Sequence, residues 1–187
     1  MAPHAIVNGQ LPRGLRWLTR TVRVLALLGA LALLSVPALF WSDAQWVALA
    51  GRGIVGLAPD ARIVVDERAR WIGMALTVPG LLLALWALLA LWRLFGAYAR
   101  GHFFDRDAQG NLRRFAWGLL LSAVCLPIQR AAAGVALTWG NPPGERMLVL
   151  GLGWHDYLGV LVGAVLLAIA WVQTVAAQLA EENAGFV

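Results

Sequence analysis

The sequence predicts an all-α integral membrane protein, a bundle of four transmembrane helices. Three observations carry that prediction. The chain is 60% hydrophobic and 13% charged, with a mean hydropathy of +0.71, whereas soluble domains run near ~25% charged residues. The stretch Trp71 to Trp92 holds no charge and is bounded by Arg70 and Arg93. About 20 apolar residues cross the ~30 Å hydrocarbon core, and indole rings settle at its boundaries. Three more apolar stretches share the 187 residues. The expectation is one membrane domain, 1–187, with spans at about 24–41, 71–92, 115–137 and 156–177.

The head, residues 1–23, is polar and basic, with Arg13, Arg16, Arg20 and Arg23. Pro3 and Asn8-Gly9 argue for disorder at its start. Leu11 to Arg23 suits a short amphipathic helix on the membrane, with Leu15, Trp17, Leu18 and Val22 as its apolar members. A basic segment followed by an apolar one imitates a signal peptide. Against that stand the long basic region, the long apolar run and the lack of a small-x-small site after Trp41. Val24 to Trp41 is then the first span, with Pro37 near its far end, where a helical hydrogen bond is lost.

The connection Ser42 to Arg70 carries four acids and four arginines. Gln45 to Leu57 is apolar enough to touch the membrane or the bundle top. Arg62-Ile-Val-Val-Asp66 is β-branched and reads as a short strand; alternatively Asp66 caps the helix of the second span. In that span, Trp71 to Trp92, Pro79 and Gly80 predict a kink. Leu94, Phe95 and Tyr98 recur at helical spacing, so helix is expected to continue toward Arg100.

The second connection, 93–114, holds five arginines against Asp105 and Asp107. Gly101 suits a helix end and Asp105 the cap of the next helix. The third span, Phe115 to Leu137, is interrupted by Gln129 and Arg130. Arg130 lies about 15 residues in, ~23 Å at 1.5 Å per residue, which places it near the far interface. Asn141-Pro142-Pro143-Gly144 is a turn, and Met147 to Leu150 reads as a second short strand. The two strands together suit a small two-stranded extracytoplasmic hairpin. The fourth span starts at Trp154 or Tyr157, with His155 and Asp156 at its head, where negative charge suits a helix N-terminus. An acidic tail, 178–187, follows it.

Nine arginines fall on the side of the N-terminus and second connection, and six on the other. The positive-inside rule places the nine in the cytoplasm. Both termini, the 93–114 loop and the tail are then cytoplasmic, in a bacterial inner membrane. Trp41, Trp71, Trp139 and Trp154 would mark the outer interface. All fifteen basic residues are Arg, which suggests a GC-rich genome. Their place beside membrane spans accounts for the basic charge without nucleic acid as a direct partner.

Two stretches resemble a bacterial membrane family known only as domain of unknown function 2975. One is Leu94-Phe-Gly-Ala-Tyr-Ala-Arg-Gly-His-Phe-Phe-Asp105, followed by Leu112-Arg-Arg-Phe-Ala-Trp-Gly118. The other is Asn141-Pro-Pro-Gly-Glu-Arg146, then an apolar strand, the last span and Ala180-Glu-Glu-Asn-Ala-Gly-Phe-Val187. The likeness covers roughly residues 90 to 187. It implies four spans, no established activity, and a regulatory partnership with small helix-turn-helix DNA-binding proteins. Gln109-Gly110-Asn111 departs from the pattern. It is more helix-breaking, and puts the helix below Leu112 in question.

Several constellations bear on function. Gly101 to Asp107 mixes His102 with carboxylates but lacks a second His or Cys at ligand spacing, so no metal is expected. The three histidines, His4, His102 and His155, stand outside the spans, which argues against axial haem ligands. Cys125, the single cysteine, reads as a small packing residue. Gly159-Val-Leu-Val-Gly163 offers a small face for close helix packing, expected within the bundle. A homo-oligomer is compatible with the rest of the sequence. Pro37, Pro79 and Pro127 fall at one depth, where kinks would open a cavity. Arg130 with Gln129 either snorkels to the headgroups or pairs with Asp156 or Glu145 in an outer vestibule.

No catalytic set and no cofactor motif is present, so a non-enzymatic protein is expected. Two function classes follow. In the first, Arg100, Phe103, Phe104 and Asp105 bind a cytoplasmic partner such as a small DNA-binding regulator. In the second, Gln129, Arg130 and Asp156 form an outer vestibule for a transported solute, a lipid or another small ligand.

Overall fold

A computed structural model describes residues 13–103 and 105–184. The first twelve residues of the basic head, with Pro3, His4 and Asn8-Gly9, lie outside the described residues, as do Phe104 and the last three of the tail. The chain forms five α-helices: α1 Arg13–Ser42, α2 Ala44–Val55, α3 Glu67–Tyr98, α4 Arg106–Thr138 and α5 Trp154–Ala184. Four of them, α1, α3, α4 and α5, are long and apolar enough to cross a membrane. Each expected span lies inside one of these four. The basic head is not a separate surface helix from Arg13 onward; it is the first turns of α1.

The long helices form a row rather than a ring. α3 packs most extensively on α4, α5 packs on the other side of α4, and α1 on the other side of α3. Among the described residues, no packed seam joins α1 to α5. Small residues make each seam. Gly118 lies against Ala87 between α3 and α4, and Gly163 against the Leu120 backbone between α4 and α5. The Gly159-x-x-x-Gly163 face is thus used within the chain, Gly159 meeting Ala123. Without a hydrophobic drive between helices in lipid, such close backbone approach is what holds a seam. The faces left over are Leu-, Val- and Ile-rich and exposed, for example Leu28, Leu31 and Leu34 on α1 and Leu161, Val165 and Val172 on α5.

Large buried side chains gather at the two ends. At one end Trp41, Val47, Val55, Leu57 and Leu137 form a core with α2. Asp43 caps α2, accepting from the Gln45 and Trp46 amides, and left-handed Gly56 closes it. One face of α2 buries Val47 and Val55, while Trp46, Leu49 and Ile54 face outward. Trp41 was expected at the membrane interface. The residue is 4% exposed, and its ring lies across Gly73 of α3, where a Cβ would collide with it. At the other end Leu94, Ala97, Ala108, Leu112 and Ala170 form the second core.

The expected two-stranded hairpin is absent; the described residues contain no strand. The reason lies in where the backbone groups are satisfied. Val64 N–H donates to the Leu137 carbonyl at 2.8 Å. Asn141 Nδ2 donates to the Arg62 carbonyl at 2.7 Å and to Glu145 at 3.2 Å. Met147 N–H donates to Thr138 Oγ1 at 3.1 Å. Both extended stretches are therefore clipped to the end of α4 and the turn after it, Val64 by the Leu137 carbonyl, Met147 by the Thr138 hydroxyl, and Arg62 and Glu145 by Asn141. Asp66 takes its alternative role and caps α3, accepting from the Ala69 amide at 2.7 Å.

The Gln109-Gly110-Asn111 stretch does not interrupt α4, which runs unbroken from Arg106. Ala108 and Asn111 are buried in the second core region, and such tertiary packing overrides a weak helix propensity.

Candidate functional site

Gln129 and Arg130 are adjacent on α4 and so point about 100° apart around it. Gln129 turns to α3 and Arg130 to α5. Pro79 removes one donor from the turn behind it and its ring crowds the carbonyls there. Gln129 Nε2 reaches into that turn and donates to the Leu76 carbonyl at 2.7 Å. Gly80 is the notch that admits it, since a Cβ there would collide with the Gln129 carboxamide. The carbonyl that Pro79 deprives of its helical donor is that of Ala75, four residues back; Gln129 ties the next carbonyl of the same turn to α4. Pro79, Gly80 and Gln129 thus form one local unit.

Arg130 Nη2 donates to Asp156 Oδ2 at 2.5 Å and to the Gly151 carbonyl at 3.2 Å. Of the two partners expected for it, the structure brings Asp156; Glu145 faces Arg62 instead, at 4.0 Å. Asp156 lies in the first turn of α5. Its Oδ2 accepts from the Gly153 amide at 2.7 Å, while the Asp156 amide donates to the Gly153 carbonyl at 3.1 Å. The bond from the Gly153 amide is the back-reaching half of a capping box, Gly153 having no side chain to supply the other half, and the helix dipole favours the charge. The Asp156 side chain is 3% exposed and that of Arg130 27%. Asp156 Oδ1 is buried and has no hydrogen-bond partner among the described residues.

Between α1 and α5, floored by α3 and α4, lies a cavity of ≈ 380 Å³. Leu33 and Pro37 form its α1 wall, and His155, Asp156 and Gly159 its α5 wall. Thr77, Gly80 and Leu81 of α3 and Ser122, Leu126 and Gln129 of α4 make the floor. The lining is mostly apolar, with Thr77, Ser122, Gln129, His155 and Asp156 as its polar members. All three prolines expected to kink their helices border the cavity: Pro37 directly, Pro79 through its neighbour Gly80 and Pro127 through its neighbour Leu126. Such a site suits an apolar body with one polar end; ligand pockets typically hold about 300–1,000 Å³.

The residues expected to bind a cytoplasmic partner lie at the opposite end, in the α3–α4 turn. Gly101, at φ 85°, stands in the left-handed region. The His102 amide donates to the Ala97 carbonyl at 3.1 Å and the Gly101 amide to Tyr98 at 3.0 Å, a Schellman closure. Half-buried Phe103 lies against Tyr98, with ring centroids 5.5 Å apart. Phe104 lies outside the described residues. Asp105 holds the N-cap position of α4, but its side chain makes no capping bond. Its Oδ2 instead lies 3.1 Å from His102 Nδ1. The expected cap is thus corrected: the imidazole three residues back takes the carboxylate. Arg100 is exposed and, with Arg23, comes close to Gly96. Among the described residues no three His, Cys, Asp or Glu side chains converge.

Sequence reasoning missed Thr77, Ser122 and His155 as parts of the cavity. One signal was available: Ser122 and Gln129 are seven apart, on one face of α4 with Leu119 and Leu126, the spacing of a helix face. On the α1 wall the signal was Pro37, one of the three prolines at a shared depth, with Leu33 one turn before it.

A family model described as "Protein of unknown function (DUF2975)" matches residues 54–185. The match takes in the floor and the α5 wall of the cavity and leaves α1 outside. No curated protein and no solved structure matches the chain.

Proposed function

The chain belongs to the DUF2975 family, and we propose that it is a non-enzymatic membrane protein that holds an amphiphilic small molecule or lipid in the cavity between α1 and α5. The observation that carries this reading is the juxtaposition of an apolar cavity with the buried Asp156 carboxylate, one oxygen of which is unpartnered. Arg130 and the Gly153 amide hold the other oxygen in place, so a ligand hydroxyl or ammonium that displaced the side chains covering Oδ1 would meet a fixed acceptor. The arginine distribution supports a bacterial inner-membrane setting with both termini cytoplasmic, which turns Arg130 and Asp156 to the outer face.

The test is purification from native membranes in mild detergent, followed by mass spectrometry of bound small molecules and lipids. An amphiphile that accompanies the wild-type chain should be lost from Ala84→Phe, which fills the cavity from its α3 floor, where Ala84 lines it, and from Asp156→Ala. Identical bound species in wild type and Ala84→Phe would sink the reading.

A second reading rests on the α3–α4 turn. That turn is rigidly closed, and it presents Arg100, His102 and Asp105 to solvent. It suits docking of a cytoplasmic partner, a small helix-turn-helix regulator on the family resemblance. A soluble protein crosslinked to the intact chain, but not to Arg100→Ala/Phe103→Ala, would favour this reading. A crosslink insensitive to both changes would remove it.

A further inference from the structure

We propose that the seam between α1 and α3, at the end away from Asp156, binds an anionic phospholipid: its phosphate on Arg16, Arg20 and Arg23, and one acyl chain in the apolar groove above them. Arg16, Arg20 and Arg23 follow the spacing that puts residues on one helix face. Together with Trp92 and Ala99 they line a cavity of ≈ 410 Å³, and no acidic residue lines it. Among the described residues none of the three arginines makes an ion pair or a side-chain hydrogen bond. Arg23 lies over the Trp92 ring, 4.0 Å from its centroid, and its Nε is buried without a partner. Arg100 approaches the same place: a Cβ at Gly96 would stand 3.8 Å from Arg100 Nη1 and 4.0 Å from Arg23 Cζ. Like charges brought together with no counter-charge favour an anion, and a guanidinium matches the geometry of a phosphate.

The second observation separates a lipid from a free anion. A groove of ≈ 300 Å³, lined by Ala26, Leu27, Ala30, Leu85, Leu88, Leu89 and Trp92, runs along the same seam. It shares Leu27 and Trp92 with the basic cavity. Charge at one end and an apolar channel continuing from it is the outline of a phospholipid. Basic pockets between transmembrane helices recognise anionic headgroups in this way. The site uses no residue of the Asp156 cavity, so the two stand or fall separately.

The experiment uses the full chain in mild detergent, delipidated and then titrated with phosphatidylglycerol, phosphatidylcholine or inorganic phosphate. Bound lipid is counted by native mass spectrometry. Phosphatidylglycerol should be retained in preference to phosphatidylcholine. Arg20→Gln/Arg23→Gln should weaken that retention about 30-fold, from roughly fivefold for each arginine near an anionic headgroup. Arg13→Gln removes a charge from α1 outside the cavity and should leave retention near wild type. Leu89→Trp keeps every charge but obstructs the groove; it should also weaken phosphatidylglycerol, and it decides the matter if the double variant fails to fold. Equal retention of the two lipids overturns the proposal, as does unchanged retention in Leu89→Trp. Displacement of phosphatidylglycerol by inorganic phosphate would show an anion site without a lipid, and overturns it as well.

Discussion

The notch at Gly80 gives the sharpest quantitative prediction. Gly80→Ala puts a methyl group where the Gln129 carboxamide now lies. The carboxamide is the far end of a flexible side chain, so it retreats rather than forcing α3 from α4. The cost is then the hydrogen bond to the Leu76 carbonyl. Interhelical hydrogen bonds in membranes average about 0.6 kcal/mol and reach about 1.7. Against this, Ala is favoured over Gly within a helix by about 1 kcal/mol in water. Gly80→Ala alone should therefore be close to neutral. In a Gln129→Ala background there is nothing to displace, and the same change should stabilise by about 1 kcal/mol. The difference between the two backgrounds, about 0.6–1.7 kcal/mol, is the coupling. It is measured by reversible unfolding of the four proteins, by steric trapping in bicelles or by denaturing detergent in mixed micelles. If Gly80→Ala has the same effect in both backgrounds to within ~0.3 kcal/mol, the sites are independent and the account of Gln129 is wrong.

Four further predictions concern the seams and ends. Gly163→Ala should cost more than Gly159→Ala, because the first meets the Leu120 backbone at 2.9 Å and the second the Ala123 methyl at 3.0 Å. Overpacking of this kind costs about 1–3 kcal/mol, and the same unfolding assay ranks them. Gly73→Ala should dislodge the buried Trp41 ring, at about 1–3 kcal/mol, with a red-shifted tryptophan emission as its signature; unchanged emission would contradict the packing. Gly101→Val forces a β-branched residue into left-handed backbone and should cost about 1–2 kcal/mol, with Gly101→Asn much milder. For the ion pair, Arg130→Ala or Asp156→Ala alone should lower thermal stability more than both together, since each single change strands a partner; a double variant worse than either single one would count against the pairing.

The spans were legible because a transmembrane helix is written in one dimension, as an uncharged length. Asp66 and Gly101 were legible because caps are local, and Arg130 because counting residues gives its depth. Asp156 was legible as its partner because both then fall at one interface. The hidden features depend on how helices cross. That the Trp41 ring is covered by α3, over Gly73, cannot be read from its place at the end of a span. Gln129 reads as an intrusion until Pro79 and Gly80 of another helix face it. Residues 62–66 and 147–150 have strand-like composition, yet the end of α4 binds their backbone first. Gly110 reads as a break because the packing around Ala108 and Asn111 is invisible to local propensity.

The row order of the helices governs how the molecule can deform. In a closed ring of helices, a shift at one contact is passed around the circuit. Here, among the described residues, α1 packs on α3 and the small α2, and α5 packs on α4. The tilts of the two outer helices are therefore separate degrees of freedom, and the mouth between them widens or narrows as their difference. A perturbation at Gly73 moves one jamb of that mouth and a perturbation at Gly163 the other. With no shared partner between them, their energetic costs should simply add.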